Sequence, residues 1–289
     1  MTRGELVSEL AAMVGAAHEA RFIVDEVLGT GSEATAGLAT VPGSAVAAAR
    51  ALAVRRRAGE PLQYLLGHWA FRTLDLIVDK RVLIPRPETE QVVAEALTEV
   101  PRLGTPNPII VDVGTGSGAI ALSLATELAG SHPDGNVWAI DTSADALAVA
   151  AANLQRVRAV HPDMLPVEIV QGCWLQPLPP SLRGMVDLIV SNPPYVAEAE
   201  WADLPPEVQC EPRGALVAPD GSDGTPGLAG VEAVLTEALS WLAPRGAVII
   251  ELAPHQAEAA QRLARAAGYG EVRVAPDLAR RLRTLIGRV

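Results

Sequence analysis

The chain has 289 residues, is 49% hydrophobic and carries a formal charge of −11, from 34 Asp and Glu against 23 Lys and Arg. That apolar fraction fills packed cores and excludes a disordered chain, and the length accommodates one large domain plus a small one. The negative charge repels a phosphate backbone, so a protein or small-molecule partner is expected rather than direct nucleic-acid binding.

Two cysteines, Cys173 and Cys210, do not make a disulfide framework, and the opening Met1, Thr2, Arg3, Gly4, Glu5 has no apolar signal-peptide core. No run of about 18 apolar residues offers a membrane span, so no membrane association is expected and the chain is read as cytoplasmic. The five histidines, His18, His68, His132, His161 and His255, lack ligand spacing, and no metal site is expected.

In chain order, Arg3 to Ala58 is rich in Ala, Leu, Glu and Arg with apolar residues at helical spacing. It reads as three or four helices broken around Gly29–Gly31 and at Pro42–Gly43. Arg55, Arg56 and Arg57 at its end read as a solvated helix terminus near the negative end of the dipole, with an acidic patch on a partner as the alternative. Leu62 to Ile84 reads as a hairpin linker of short strands around a turn at Asp79–Lys80. After Pro85, Arg86, Pro87, Glu88, Thr89, Glu90, helical spacing resumes through Val92, Val93, Ala96 and Leu97, with Thr89 as the expected cap. Pro101 to Pro108 reads as a separating stretch.

From Ile109 strands and helices alternate. Strands are expected at Ile109–Val113, Val137–Ile140, Val167–Val170, Val186–Val190 and Ala247–Glu251, with Val272, Val274 and Leu282–Ile286 as a closing pair. Helices are expected from Gly118 to about Ala129, and over Ala144–Val157, Leu228–Leu242 and His255–Ala267. Apolar runs alternating with amphipathic helices indicate an α/β fold with a mostly parallel sheet covered on both faces, whose ligand site lies at the carboxyl ends of strands.

Gly114, Asp141 and Asn192 all fall at such ends. Asp112, Val113, Gly114, Thr115, Gly116, Ser117, Gly118 is a strand, a glycine turn and a helix start, a geometry that brings backbone N–H groups close to a ligand. Asp141, 25 residues beyond Gly116, is positioned to take both hydroxyls of a ribose. The spacing GxGxG, with Asp112 ahead of it, opposes a pyrophosphate and suits a cationic ligand such as S-adenosylmethionine. At Ser191, Asn192, Pro193, Pro194, Tyr195 the prolines stop a strand and stiffen its exit. The Asn192 side-chain oxygen and the Pro193 carbonyl there suit the two hydrogens of a planar NH2, and the Tyr195 ring suits its π face.

Together, Asp112 to Gly118 and Asn192 to Tyr195 resemble a class I, Rossmann-like, S-adenosylmethionine-dependent methyltransferase that acts on amino or amide nitrogen. Pro61, Leu62, Gln63, Tyr64, Leu65 with Gly67, the block Val82 to Glu90, and Glu207, Val208, Glu211, Pro212, Ala215, Leu216 further resemble the bacterial peptide chain release factor N5-glutamine methyltransferase family over nearly the whole chain. The resemblance implies a seven-stranded sheet, a helical release-factor-binding domain at 1–60, a β-hairpin linker at 61–86 and a catalytic domain at 87–289. It implies methylation of the glutamine in the Gly-Gly-Gln loop of class I release factors by a monomer, with S-adenosyl-L-homocysteine as the second product. N6-adenine methylation is the alternative.

By this resemblance Asn192, Pro193, Pro194 and Tyr195 are catalytic. Asp112, Gly114, Thr115, Gly116, Ser117, Gly118, Asp141, Trp174 and Asn192 bind the cofactor. Two positions depart from the pattern: Cys173 stands where the family has an acidic residue facing the adenine, and Arg280 and Leu282 stand where it has Gly and Asp, a change expected at a surface or sheet edge.

Overall fold

The computed structural model describes residues 1–29 and 40–289. By its contacts the chain divides into Met1–Trp69 with Pro205–Cys210, and Ala70–Leu204 with Glu211–Val289. Of the expected helix break at Gly29–Gly31, Gly29 ends a helix with φ 80, and the remainder lies outside the described residues.

In the first unit, helices Arg3–Val14, Ala17–Leu28, Gly43–Arg57 and Leu62–Leu66 bury Leu6, Leu10, Ile23, Val24, Ala49 and Ala53 among themselves. The Thr2 hydroxyl accepts from the Glu5 N–H and the Glu5 carboxylate accepts from the Thr2 N–H, a reciprocal box that satisfies two amides the helix leaves orphaned. The arginine run is the solvated terminus expected at Arg55 and Arg57, which are exposed, but not at Arg56. Arg55 forks onto Glu60, while Arg56, 17% exposed, forks onto Glu19 and reaches Glu207 at 2.8 Å, which fastens the 205–210 segment to this bundle. Arg57, which is exposed, carries no such pair among the described residues.

The linker also differs from expectation. Strands β1 (His68–Phe71) and β2 (Leu74–Ile77) turn at Arg72–Thr73 rather than at Asp79–Lys80; Leu62–Leu66 is helical and Val82–Ile84 is not a strand. Arg72 holds a left-handed φ of 52 because its N–H donates to Glu90 Oε1 at 2.8 Å and its guanidinium forks onto Glu127.

The helix after the linker starts with Pro87, where a missing N–H costs nothing, and runs to Leu103. It passes through Pro101 in its last turn and stops at Gly104 with φ 70, so Pro101 to Pro108 is only partly a separator. Thr89 does not cap this helix; Arg86 occupies the cap position and makes no side-chain cap bond.

The main sheet comprises β3 (Ile109–Val113), β4 (Asn136–Asp141), β5 (Val167–Gln171), β6 (Val186–Ser191), β9 (Leu242–Glu251), β10 (Glu271–Pro276) and β11 (Leu282–Arg288), in the order β10-β11-β9-β6-β3-β4-β5. β9, β6, β3, β4 and β5 are parallel, and β11 runs antiparallel between β9 and β10. Leu242 opens β9 instead of closing the preceding helix, which is Ala229–Ala238. A short parallel pair, β7 (Val196–Ala197) and β8 (Val217–Ala218), lies outside the sheet.

Both faces of the sheet are buried. Ala247 and Ile249 of β9 pack with helices Pro87–Leu103 and Ala119–Glu127, whereas Val248 and Ile250 pack with Ala229–Ala238 and Ala257–Ala267. This two-sided burial is why the strands read as unbroken apolar runs. The chain lays β4 and β5 on one side of β3 and then returns to lay β6 on the other, so the carboxyl ends of β3, β4 and β6 flank the point where strand order reverses.

Candidate active site

At the end of β3, Gly114, Gly116 and Gly118 have φ of 77, 55 and 85, a left-handed sequence that a Cβ would strain at each step. The loop is bolted to β4: the Gly114 and Thr115 N–H groups both donate to the Ile140 carbonyl at 2.8 Å. Asp141 Oδ2 accepts from the Gly116 N–H and Oδ1 from the Ser143 N–H, both at 2.9 Å, which orients the carboxylate while each oxygen keeps a free lone pair. Ser117 is held from below, its carbonyl accepting from Asn153 Nδ2 at 2.8 Å.

Asp112 is sealed beneath this loop, with no exposed surface. Its Oδ2 accepts from the Thr115 hydroxyl at 2.7 Å and the Ala121 N–H at 3.1 Å, and Oδ1 has no partner among the described residues. Burial pushes its carboxyl up to about 7 against the pull of those two hydrogen bonds, and the nearby Asp141 charge adds to the rise.

At the end of β6 the Ser191 hydroxyl donates to the Val113 carbonyl at 2.7 Å, joining the two strand exits. The proline turn that follows is packed from behind. A methyl on Gly230 would lie 2.6 Å from the Pro194 carbonyl oxygen, and one on Gly227, whose φ is 65, would collide with the Tyr195 carbonyl. The fully buried Gln256 donates from Nε2 to the Tyr195 carbonyl at 2.9 Å and the Pro226 carbonyl at 2.8 Å. Four side chains form a chain of hydrogen bonds here. Asn192 Nδ2 donates to Thr89 Oγ1 at 3.1 Å, the Thr89 hydroxyl donates to Glu251 Oε2 at 2.7 Å, and the Tyr195 hydroxyl donates to Glu251 Oε1 at 3.1 Å. Burial raises the Glu251 carboxyl above the usual range, opposed by those two hydroxyls and by the Arg283 charge. Burial, then the Glu251 charge, raises the Tyr195 phenol.

These exits border one cavity of about 410 Å³. Of the residues singled out from sequence, Gly114, Gly116, Asp141, Trp174, Asn192 and Pro194 line it. Asp112, Thr115, Ser117, Gly118, Pro193 and Tyr195 do not; they form the support around the lining. Trp174 sits at a left-handed φ of 49, a strained conformation for a bulky residue. Two residues before it, Gly172 has room for no Cβ against the Pro177 ring. Cys173, exposed and unbridged, lines the cavity beside Trp174.

Sequence reasoning missed part of the lining. Arg81, Val82 and Leu83 border the cavity, as do Pro212, Gly214 and Ala215. Buried Glu211 ties these two stretches together: Oε2 accepts from the Ile84 N–H at 2.9 Å and Oε1 pairs with Arg86. The only signal for them was the family-like character of Val82 to Glu90 and Glu211 to Leu216. Among the described residues no group of three or more His, Cys, Asp or Glu is arranged to hold a metal ion, and no helix is long and apolar enough to cross a membrane.

A family described as Methyltransferase small domain matches residues 92–205. The release factor glutamine methyltransferase of Burkholderia pseudomallei is 38% identical over 275 residues, covering 94% of this chain and 92% of that protein. The protein of the same description from Bordetella pertussis is 42% identical over 269 residues, covering 90% of each. Among solved structures, "hMettl16 catalytic domain in complex with MAT2A 3'UTR hairpin 6" aligns with a TM-score of 0.51 and 16% identity over 74% of each chain, a likeness of fold alone. With that identity sustained along almost the whole of both sequences, the chain belongs to the release factor glutamine methyltransferase family.

Proposed function

We propose that this protein transfers a methyl group from S-adenosylmethionine to the side-chain amide nitrogen of a glutamine, the one in the Gly-Gly-Gln loop of class I release factors. The observation that carries the reading is the single cavity shared by Gly114, Gly116 and Asp141 on one side and Asn192 and Pro194 on the other. A cofactor held by the first group and an amide held by the second would share that one cavity.

The residues fit the cofactor. Asp141 has lone pairs for ribose hydroxyls, the glycine turn offers backbone at close range, and Trp174 offers an aromatic face. Asp112, buried with one unpaired oxygen, puts a carboxyl under the loop whose ionised form the positive charge of S-adenosylmethionine would favour. When bound, the cofactor supplies an electrophilic methyl on a sulfonium.

A carboxamide nitrogen is a weak nucleophile because its lone pair is delocalised into the carbonyl. We assign its two hydrogens to Asn192 Oδ1, on the cavity lining, and to the Pro193 carbonyl, and its plane to the Tyr195 ring, the last two standing behind that lining. The nitrogen becomes more positive as it is methylated, so both acceptors bind it harder in the transition state than in the ground state. Fixing the two reactants in line contributes on the order of 7 to 11 kcal/mol. The methylated nitrogen is acidic enough to lose its proton to these acceptors or to water. We assign the helices within residues 1–60 and the linker to holding the release factor.

The relatives' descriptions and the charge of −11 both favour a protein acceptor over adenine. The test is incubation with labelled S-adenosylmethionine and a purified release factor. Label should enter the loop glutamine and be absent from a Gln→Ala control; label in DNA or RNA, with none in the release factor, would overturn the reading.

A further inference from the structure

Two polar side chains sit behind Asn192, and the mechanism above makes no use of them. Thr89, in the first turn of helix Pro87–Leu103, and Glu251, the last residue of β9, are both buried, at 4% and 1% exposure. A threonine hydroxyl carries one proton. In the ionised form, which the two hydroxyls and the Arg283 charge favour against burial, both Glu251 oxygens accept, one from Tyr195 and one from Thr89. The Thr89 proton is therefore committed to Glu251, and only lone pairs remain on Oγ1 to face Asn192. An amide meeting lone pairs presents its NH2 to them, as Asn192 Nδ2 does at 3.1 Å. Its oxygen is left pointing the other way.

We propose that Glu251 and Thr89 act as a polarity relay, fixing the Asn192 carboxamide with its oxygen toward the substrate nitrogen. This rests on the assignment of Asn192 as the acceptor of the amide hydrogens. The two are positioning residues, since neither touches the reacting atoms. Reversing the relay has a defined consequence. In Glu251→Gln the Tyr195 hydroxyl still needs the amide oxygen, so the new NH2 faces Thr89. The Thr89 proton is then released toward Asn192, which is satisfied only if its carboxamide turns over and offers NH2 to the substrate. Two N–H donors then face each other where a donor should meet an acceptor.

The experiment compares the full-length wild type with Glu251→Gln, Thr89→Val and Thr89→Ser. It measures kcat and KM for a purified release factor, together with S-adenosylmethionine affinity by calorimetry. Glu251→Gln and Thr89→Val should each lose about 10²-fold in kcat, the scale of one misdirected transition-state hydrogen bond, with cofactor affinity held within about twofold. Thr89→Ser, which restores the hydroxyl, should recover most of what Thr89→Val loses. A Glu251→Gln enzyme as fast as wild type, or Thr89→Ser as slow as Thr89→Val, overturns the relay. If Glu251→Gln does not fold, the valine and serine pair decides the question. Wild type that fails to methylate the glutamine defeats the functional reading itself, an outcome separate from a wild type that is active and a relay variant that equals it.

Discussion

Replacing Asp112 by asparagine should make stability less dependent on pH, and the structure supplies the size of the effect. The carboxyl is fully buried and its pKa rises from 3.8 to about 7 on folding. Below about pH 4 native and unfolded chains both hold the proton, and the group adds no pH dependence. Between about pH 4 and 7 the unfolded chain releases it while the native chain does not. Stability therefore falls by about 1.4 kcal/mol per pH unit and levels off near 4 kcal/mol lost, an upper bound. Asparagine carries no charge to bury. Its oxygen can accept from Thr115 and Ala121 as Asp112 Oδ2 does, and its NH2, replacing the unpartnered Oδ1, costs about 1 to 3 kcal/mol at every pH. The constant cost and the pH-dependent gain are separable by urea unfolding of both proteins from about pH 4 to pH 8. The variant should be the less stable protein in acid and should gain on wild type as pH rises. Saturating S-adenosylmethionine should flatten the wild-type profile by favouring the ionised carboxylate. A stability difference that does not change with pH would refute the argument that Asp112 carries a buried charge penalty.

Three further substitutions test the site. Asn192→Ala should lower kcat by about 10²- to 10³-fold while sparing most of the cofactor affinity; equal losses in binding and turnover would remove it from the role of amide acceptor. If Asp141 takes the ribose hydroxyls, Asp141→Ala should weaken S-adenosylmethionine binding by about 10- to 100-fold, the carboxylate's hold on Gly116 being lost as well, and unaltered affinity on titration would reject that role. Gly230→Ala should cost about 1 to 3 kcal/mol in unfolding free energy and also slow turnover, since the new methyl pushes on the Pro194 carbonyl; a stable variant with full activity would show that the turn tolerates displacement.

What was legible in the sequence follows from where the determining contacts lie. Ile109–Val113 and Val186–Val190 are strands whose neighbours on both faces are apolar, so their own composition announces them. The glycine turn and Asp141 were readable because the left-handed angles at 114, 116 and 118 demand a particular residue type. The turn at Arg72–Thr73 had no such signature. An arginine is held at φ 52 by Glu90 and Glu127, neither of which the local sequence identifies as its partner. Arg280 is similar, at φ 62 in the β10–β11 turn, where a glycine would sit without strain.

Thr89 shows why the remainder was hidden. Its local setting, three residues into a helix behind a proline, is that of a cap, and local rules assign it one. In the fold its hydroxyl bonds Glu251, 162 positions away, and its oxygen accepts from Asn192, 103 positions away. A buried hydroxyl so placed can satisfy two distant partners at once, which outweighs one exposed backbone amide at a helix start. The sequence marks Asn192 as a candidate to bind NH2, but an amide has two orientations of nearly equal shape, and the residues that choose between them come from elements far apart in sequence. The direction in which that acceptor faces is therefore a property of the tertiary structure, supplied where helix Pro87–Leu103, the exit of β6 and the end of β9 meet.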